Sequence, residues 1–205
     1  MASGFHINSL LFLFFFAGSA FGGVHFSTLP QNLVVQASPK QGSVLRAGED
    51  TIKVTWGLNQ TLAPGLDTKY NKVKVKLCYA PISQKDRAWR KTEDDLTRDK
   101  TCQFQMVAKP YSSTNKEESF DWKVERDMPT ATYFIRAYAL DSDGNQVAYG
   151  QTTDSHKTTN LFEIQGISGR HVSLDIAAAC FSAFSVVSLF GFFYIEKRKA
   201  KSSGK

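Results

Sequence analysis

The feature that most restricts the fold of this chain is a run of twenty uncharged residues from Ile176 to Ile195. A helix rises about 1.5 Å per residue, so such a run reaches about 30 Å, the thickness of the hydrocarbon core of a bilayer. The residues after it comprise five Lys and Arg and a single acid, Glu196. Because basic flanks stay on the cytosolic side, we predict a transmembrane helix over 176–195 and a basic cytosolic tail over 196–205.

A second apolar stretch lies near the other end of the chain, where Leu10–Phe16 is followed by small residues up to Gly22. This order is typical of a secretory signal peptide, which we place over 1–22 with cleavage near Gly22 or Gly23. An uncleaved anchor is the alternative, but the apolar run is too short to span a bilayer. Both ends therefore predict one topology, with the central domain outside and the C-terminus in the cytosol.

The formal charge of +6 comes from the tail and not from the domain. Residues 23–175 contain 20 bases against 18 acids. Proteins that bind nucleic acid concentrate their bases on the folded module. We therefore expect no nucleic-acid partner.

The cysteines and one sequon agree with the secretory route. Cys180 falls in the predicted span, which leaves Cys78 and Cys102 as the natural disulfide pair in an oxidising compartment. Closing a loop of this length contributes roughly 3 to 4 kcal/mol on the chain-entropy model. Asn59 begins the sequence Asn-Gln-Thr, the one glycosylation sequon in the chain.

The segment over 23–165 has the pattern of an all-β domain. Apolar and polar residues alternate along Lys72–Leu77, which is what a half-buried sheet face requires. The turn residues Asp141–Gly144 predict a hairpin over 132–151. The predicted strands are Leu33–Gln36, Thr51–Trp56, Tyr70–Tyr79, Phe104–Lys109, Ser119–Val124, Thr132–Leu140 and Gln146–Gln151.

Two aromatic residues favour one β architecture. Trp56 closes an early strand, and Tyr133 lies at the entry of a late one. This order is typical of immunoglobulin-like and fibronectin type III sandwiches. We predict such a sandwich, followed by a juxtamembrane stem over 166–175. Another small antiparallel sandwich or barrel is the alternative.

A charged insertion separates the two cysteines of the predicted disulfide. Eleven of the sixteen residues in Lys85–Lys100 are charged, six basic and five acidic, so this stretch is not a core strand. A solvated loop is one interpretation. Trp89 between Arg87 and Arg90 favours the other, because an aromatic residue beside arginines is typical of an interface hot spot. The residues alone leave both open.

The sequence contains no motif that indicates catalysis or transport by this chain alone. It contains no Cys-x-x-Cys, no His-Glu-x-x-His and no phosphate-binding glycine loop. The four histidines are scattered singly, so we expect no metal site and no cofactor. One span without an ionisable residue cannot line a polar pathway. We therefore expect neither an enzyme nor a carrier with a small-molecule substrate of its own.

Several longer motifs resemble those of the plant high-affinity nitrate transport accessory proteins. The resemblance covers roughly 48–201, departs from the family pattern at Ala88 and Met128, and is poor over 24–47. The residues that carry it are Leu77–Pro81, Trp89–Lys91, Asp99–Cys102, Ala108–Tyr111, Glu125–Asp127, Tyr133–Ala139, Val147–Gln151 and Ser168–His171.

The resemblance implies that the chain pairs with a many-spanning high-affinity nitrate transporter at the plasma membrane and activates or stabilises it there. On the family motif, Arg90 and Asp99 are the charged positions expected to serve the partner contact, with Trp89 beside them. Their charged surroundings predict that both are exposed and that their substitution costs little folding stability. A cell-surface receptor or adhesion module is the alternative.

Overall fold

A computed structural model describes residues 23–203 except 64 and 116. The predicted signal peptide and the last two residues of the predicted tail lie outside the described residues. Within this range the chain forms strands and one long helix: β1 Leu33–Ala37, β2 Val44–Arg46, β3 Thr51–Leu58, β4 Lys72–Tyr79, β5 Phe104–Pro110, β6 Glu117–Lys123, β7 Ala131–Leu140, β8 Gln146–Gln151, β9 Phe162–Gln165 and α1 Val172–Ser203.

The strands form two sheets that enclose one core. The smaller sheet is antiparallel, in the order β1-β3-β6, and the larger has the order β2-β9-β7-β4-β5 with β8 also paired to β7. Buried side chains from both sheets form one apolar cluster. The domain is therefore an immunoglobulin-like sandwich, as predicted.

The alternation along β4 explains which face the larger sheet buries. Val73, Val75 and Leu77 are fully buried, whereas the two lysines between them are half-buried. The inward side chains meet Ile52 and Val54 of β3 within the same cluster. Removing this apolar surface from water is the main stabilising term of such a domain.

All seven predicted strands are present, with ends that differ from the prediction by at most two residues. The sequence missed β2 and β9, which pair with each other in parallel. Strands of three and four residues are too short to show an alternation. They form because β9 also pairs with β7 through Ala131–Tyr133.

The predicted tyrosine lies at the start of β7 and forms a tyrosine corner. The Tyr133 hydroxyl donates a hydrogen bond of 2.7 Å to the carbonyl oxygen of Pro129. This bond fixes the connection that enters β7, as in other immunoglobulin-like sandwiches. The predicted hairpin between β7 and β8 is also present.

The described residues contain one helix that is long and apolar enough to cross a membrane, with a mean hydropathy of 2.1. It extends beyond the predicted span at both ends. Residues 166–171 link it to β9. The Gly166 N–H donates a hydrogen bond of 2.9 Å to Thr130 Oγ1. A Cβ atom at Gly166 would lie 2.6 Å from the Met128 carbonyl oxygen, so only glycine fits there.

Strand direction defines two ends of the sandwich. At the exit end, β4 and β9 finish, β7 and β3 begin, and the chain leaves toward the helix. At the distal end, β3 and β7 finish and β4 begins. Asn59 follows β3, so the sequon lies at the distal end.

The tyrosine corner generates a stability prediction. Tyr133→Phe removes one buried hydrogen bond, so we expect the free energy of unfolding of the purified full-length protein to fall by about 0.5 to 1.5 kcal/mol. Urea unfolding followed by tryptophan fluorescence measures it. Tyr149→Phe is the control, because that ring packs on Phe26 and its hydroxyl makes no hydrogen bond within the described part of the chain. Equal losses in both variants would contradict the assignment.

Candidate partner interface

The predicted partner residues lie in one ordered insertion, which connects β4 to β5 over residues 80–103. The structure joins Cys78 and Cys102 at its base, as the sequence predicts, with an S–S distance of 2.00 Å. Two 3₁₀ helices, Pro81–Ser83 and Ala88–Arg90, occupy its first half. Its second half contacts the N-terminal segment of the domain. The insertion is therefore folded along its length, although most of its residues are exposed.

Arg90 is buried, so the prediction that it is exposed is wrong. Its side chain is 7% exposed. The guanidinium carbon lies 4.2 Å from the centre of the Tyr79 ring, and Nη1 donates a hydrogen bond of 3.2 Å to the Ser83 carbonyl oxygen. The 3₁₀ helix Ala88–Arg90 turns the chain back toward β4, and this tertiary contact has no signal in a local charge pattern. Arg90 thus covers the exit end of the core.

The side chain of Tyr79 connects Arg90 to the core. Tyr79 stacks on Tyr133 with ring centres 5.2 Å apart and meets Phe104 edge to face at 5.6 Å. Ser83, whose carbonyl oxygen accepts from Arg90, uses its Oγ to accept a hydrogen bond of 2.7 Å from the Thr132 N–H. The first half of the insertion is therefore attached to both β4 and β7.

Asp99 is half-buried and holds the second half of the insertion together. Its Oδ1 accepts hydrogen bonds from Thr101 Oγ1 at 2.7 Å, from the Thr101 N–H at 3.2 Å and from the Glu93 N–H at 3.2 Å. Thr101 itself is fully buried. Oδ1 of Asp99 therefore connects Glu93 and Thr101 within the insertion. These hydrogen bonds do not use Oδ2.

Trp89 differs from its two neighbours in exposure. Its side chain is 60% exposed, while its carbonyl oxygen accepts a hydrogen bond of 2.6 Å from Gln103 Nε2. The structure thus brings Trp89, Arg90 and Asp99 together in one insertion, but among them only Trp89 presents a largely exposed side chain. The partner role of all three stays a prediction.

The N-terminal segment Val24–Leu29 is a part of this site that the sequence did not indicate. The Phe26 N–H donates to the Asp94 carbonyl oxygen at 2.7 Å, and the Leu96 N–H donates to the Val24 carbonyl oxygen at 2.9 Å. Ser27 donates to the Asp94 carboxylate through its N–H at 2.8 Å and its Oγ at 2.9 Å. No motif in this segment predicts that it pairs with the insertion.

A buried arginine lies beneath the N-terminal segment, on the outer face of the larger sheet. Arg136 is 1% exposed and makes no ion pair with a carboxylate in the described part of the chain. Its Nε and Nη2 donate to Gln151 Oε1 at 3.1 and 2.9 Å, and Nη1 donates to the Tyr138 hydroxyl at 3.1 Å. The Phe26 ring covers the guanidinium at 4.1 Å. Cation–π contacts of this kind are strongest where water is excluded.

Several ionisable groups around the insertion have pKa values that differ from their usual ones. Hydrogen bonds from the backbone and side chain of Ser27 hold the pKa of Asp94 below its usual range. Hydrogen bonds from Thr97 lower the pKa of Asp95 in the same way. On the outer face of the sheet, burial, followed by the Arg136 charge, lowers the pKa of Lys157. The described residues contain no cluster of His, Cys, Asp and Glu suited to a metal ion.

An immunoglobulin-like domain with an ordered insertion, followed by one helix that could span a membrane, is the class of protein that this geometry defines. Residues 26–169 match the NAR2 family model, "High-affinity nitrate transporter accessory, Ig-like domain". The chain belongs to this family of transport accessory proteins.

Individual relatives support the assignment. The chain is 50% identical over 204 residues to High-affinity nitrate transporter 3.2 of Arabidopsis thaliana, covering 95% of this chain and 97% of that protein. It is 58% identical over 160 residues to High-affinity nitrate transporter 3.1 of the same plant, covering 78% and 75%. It is 51% identical over 176 residues to High-affinity nitrate transporter-activating protein 2.1 of Oryza sativa subsp. japonica, covering 86% and 82%.

The burial of Arg90 changes the expected effect of its substitution. Arg90→Ala removes a desolvated cation–π contact and a hydrogen bond from a charged donor, so we expect the free energy of unfolding to fall by about 2 to 3 kcal/mol. Arg87→Ala is the matched control, because Arg87 is exposed and its loss should change stability by about 0.5 kcal/mol or less. Equal stability of the two variants would show that the Tyr79 contact contributes nothing.

The Asp94 contacts generate a pH prediction. The folded pKa of Asp94 lies below its unfolded value of about 4. Stability from this group is therefore present above about pH 4 and is lost as the pH falls through the lowered folded value. We expect the amide protection factors at residues 24–29, which are exchange rates corrected for the intrinsic pH dependence of amide exchange, to fall in that window, measured by mass spectrometry.

The control for the pH prediction is Asp94→Asn. This variant lacks the titrating carboxylate, so its protection factors at residues 24–29 should be lower at neutral pH and nearly independent of pH below about 4. An unchanged acid response in Asp94→Asn would assign the effect to another carboxylate.

Proposed function

We propose that this chain is a non-catalytic subunit that binds a multi-spanning high-affinity nitrate transporter at the plasma membrane and activates or stabilises it there, so that nitrate is taken up. The observation that carries the proposal is membership of the accessory family, whose relatives are named for high-affinity nitrate transport. A chain with one apolar span and a small sandwich has the means to hold a partner, but no pathway of its own.

The proposed orientation places the sandwich outside the cell and the C-terminus in the cytosol. Lys197, Arg198, Lys199 and Lys201 follow the apolar run, and basic residues favour the cytosolic side. The disulfide between Cys78 and Cys102 suits an oxidising compartment. Asn59, the proposed glycosylation site, lies at the distal end, where its Oδ1 accepts hydrogen bonds from Thr61.

The proposed partner contact uses the insertion, with different tasks for its three predicted residues. Trp89 offers exposed apolar surface. Arg90 holds that surface in place from below, through Tyr79 and Ser83. Asp99 offers the carboxylate oxygen left over from its internal hydrogen bonds. A desolvated charge pair at such a position would set specificity for the transporter.

The test of function is co-expression in cells that lack nitrate uptake. The chain together with a high-affinity nitrate transporter should raise uptake of labelled nitrate well above that of the transporter alone, and the two should co-purify. A chain that reaches the cell surface but neither raises uptake nor co-purifies would contradict the proposal and favour the receptor or adhesion alternative.

Two substitutions of Asp99 separate a structural role from a partner role. Asp99→Asn keeps an oxygen that can accept the Thr101 and Glu93 hydrogen bonds, but it removes the charge. We expect normal surface abundance and an association weakened by about 2 to 5 kcal/mol, the effect of leaving a charge on the transporter unpaired. Asp99→Ala removes the oxygen as well, so both abundance and association should fall.

The control for the charge effect is Asp143→Asn, because Asp143 is an exposed acid in the turn between β7 and β8 at the distal end. It should leave abundance, co-purification and uptake unchanged. Full association of Asp99→Asn would show that the charge of Asp99 is not used by the partner.

A further inference from the structure

Two largely exposed apolar side chains belong to the first half of the insertion. Ile82 is 71% exposed and Trp89 is 60% exposed, and we call them the exit-end patch. They belong to the 3₁₀ helices Pro81–Ser83 and Ala88–Arg90, which are connected by the hydrogen bond from Arg90 to the Ser83 carbonyl oxygen. A patch held in this way loses little conformational entropy when it binds.

The patch lies at the end of the sandwich from which the membrane helix is reached. Ser83 accepts a hydrogen bond from Thr132, and Thr130 accepts one from Gly166, where the linker begins. The patch and the linker are therefore attached to the same short segment before and within β7. Residues 166–171 span at most about 20 Å when fully extended. The linker keeps this end near the outer surface of the membrane.

The surroundings of the patch indicate the character of its partner. In the sequence, Lys85, Asp86 and Arg87 lie between the two apolar residues. Lys91 follows Trp89 closely, and its Nζ forms an ion pair of 2.8 Å with Glu93. A tryptophan with basic neighbours is the composition of a binding hot spot with a charged rim. The complementary surface is an apolar recess with acidic residues around it.

We infer that the exit-end patch docks on the extracellular surface of the transporter, at the level where its loops leave the outer leaflet. This inference rests on the proposed function and adds the docking site, with Ile82 as a partner residue. Since the anchor confines the patch to that height, the partner must present its recess close to the bilayer. The distal end, with Asn59, faces away from the contact and remains free to carry a glycan.

Site-specific crosslinking of the full-length chain, co-expressed with the transporter, tests the inference. A photoreactive amino acid is placed singly at Ile82 or Trp89, and at Val34 or Leu66 as controls. The control side chains are each 44% exposed, and both lie toward the distal end, Val34 opposite Gly57 and Leu66 in the connection between β3 and β4. We expect the yield of crosslinked transporter to be at least about tenfold higher from the exit-end positions.

Two results would overturn the inference: equal or higher yields from the control positions, or labelling of lipid without transporter at Ile82 and Trp89. Surface abundance and an intact disulfide establish that each labelled chain is folded. The proposed function is judged separately, by whether the unlabelled chain raises nitrate uptake. Uptake with crosslinks only from the distal end leaves the function in place and removes the docking site.

A double substitution provides an independent measurement. Ile82→Ser with Trp89→Ser removes only exposed side chains, so surface abundance should stay normal. Co-purification with the transporter should fall at least about tenfold, whereas Val34→Ser with Leu66→Ser should leave it unchanged. Normal co-purification of the exit-end variant would contradict the inference.

Discussion

Hydrogen bonding of β7 to three other strands is the constraint on which the rest of the domain depends. Its start pairs with β9, its remainder pairs with β8 on the same edge, and β4 pairs along the other edge. One face of β7 closes the core, and the other holds Arg136. The tyrosine corner at Tyr133 lies at the start of β7, and the linker is attached at Thr130, just before it. The two sheets, the linker and the insertion are therefore positioned by one strand.

Both faces of the larger sheet are covered, which is unusual for a sheet at the surface of a small sandwich. The smaller sheet covers the inner face, and the insertion with the N-terminal segment covers part of the outer face. The disulfide, Phe134, Tyr138 and Leu140 form a second apolar cluster there, with Phe26, Leu29 and Leu96 packed against it. The charged insertion thus has an apolar underside, and most of its charged side chains are exposed, with Arg90 as the buried exception.

Sequence patterns predicted those parts of the structure in which neighbouring residues carry the information. Period-two alternation placed β4, and turn residues placed the hairpin of β7 and β8. The site was harder to predict from the sequence, because its geometry depends on contacts between segments that are far apart along the chain. Arg90 lies in a run of charged residues that is typical of a solvent-exposed segment, yet its contacts with Tyr79 and Ser83 bury it. Phe26 contacts Arg136 although most of the domain's sequence lies between them. The strands β2 and β9 form by pairing with each other. No local window contains these contacts.

The contact between Phe26 and Arg136 has a consequence for how the domain is made. Phe26 belongs to the first part of the domain to be synthesised, whereas Arg136 and Gln151 belong to the last third. The earliest segment therefore has to wait until β7 and β8 have paired before it can cover the guanidinium. Contacts between such distant positions form slowly, since the closure of a long loop precedes any gain from them. Until then the N-terminal segment, which contacts the second half of the insertion, is not held against the sheet. The insertion, the most charged segment of the domain, is therefore expected to be among the last parts to become ordered during biogenesis.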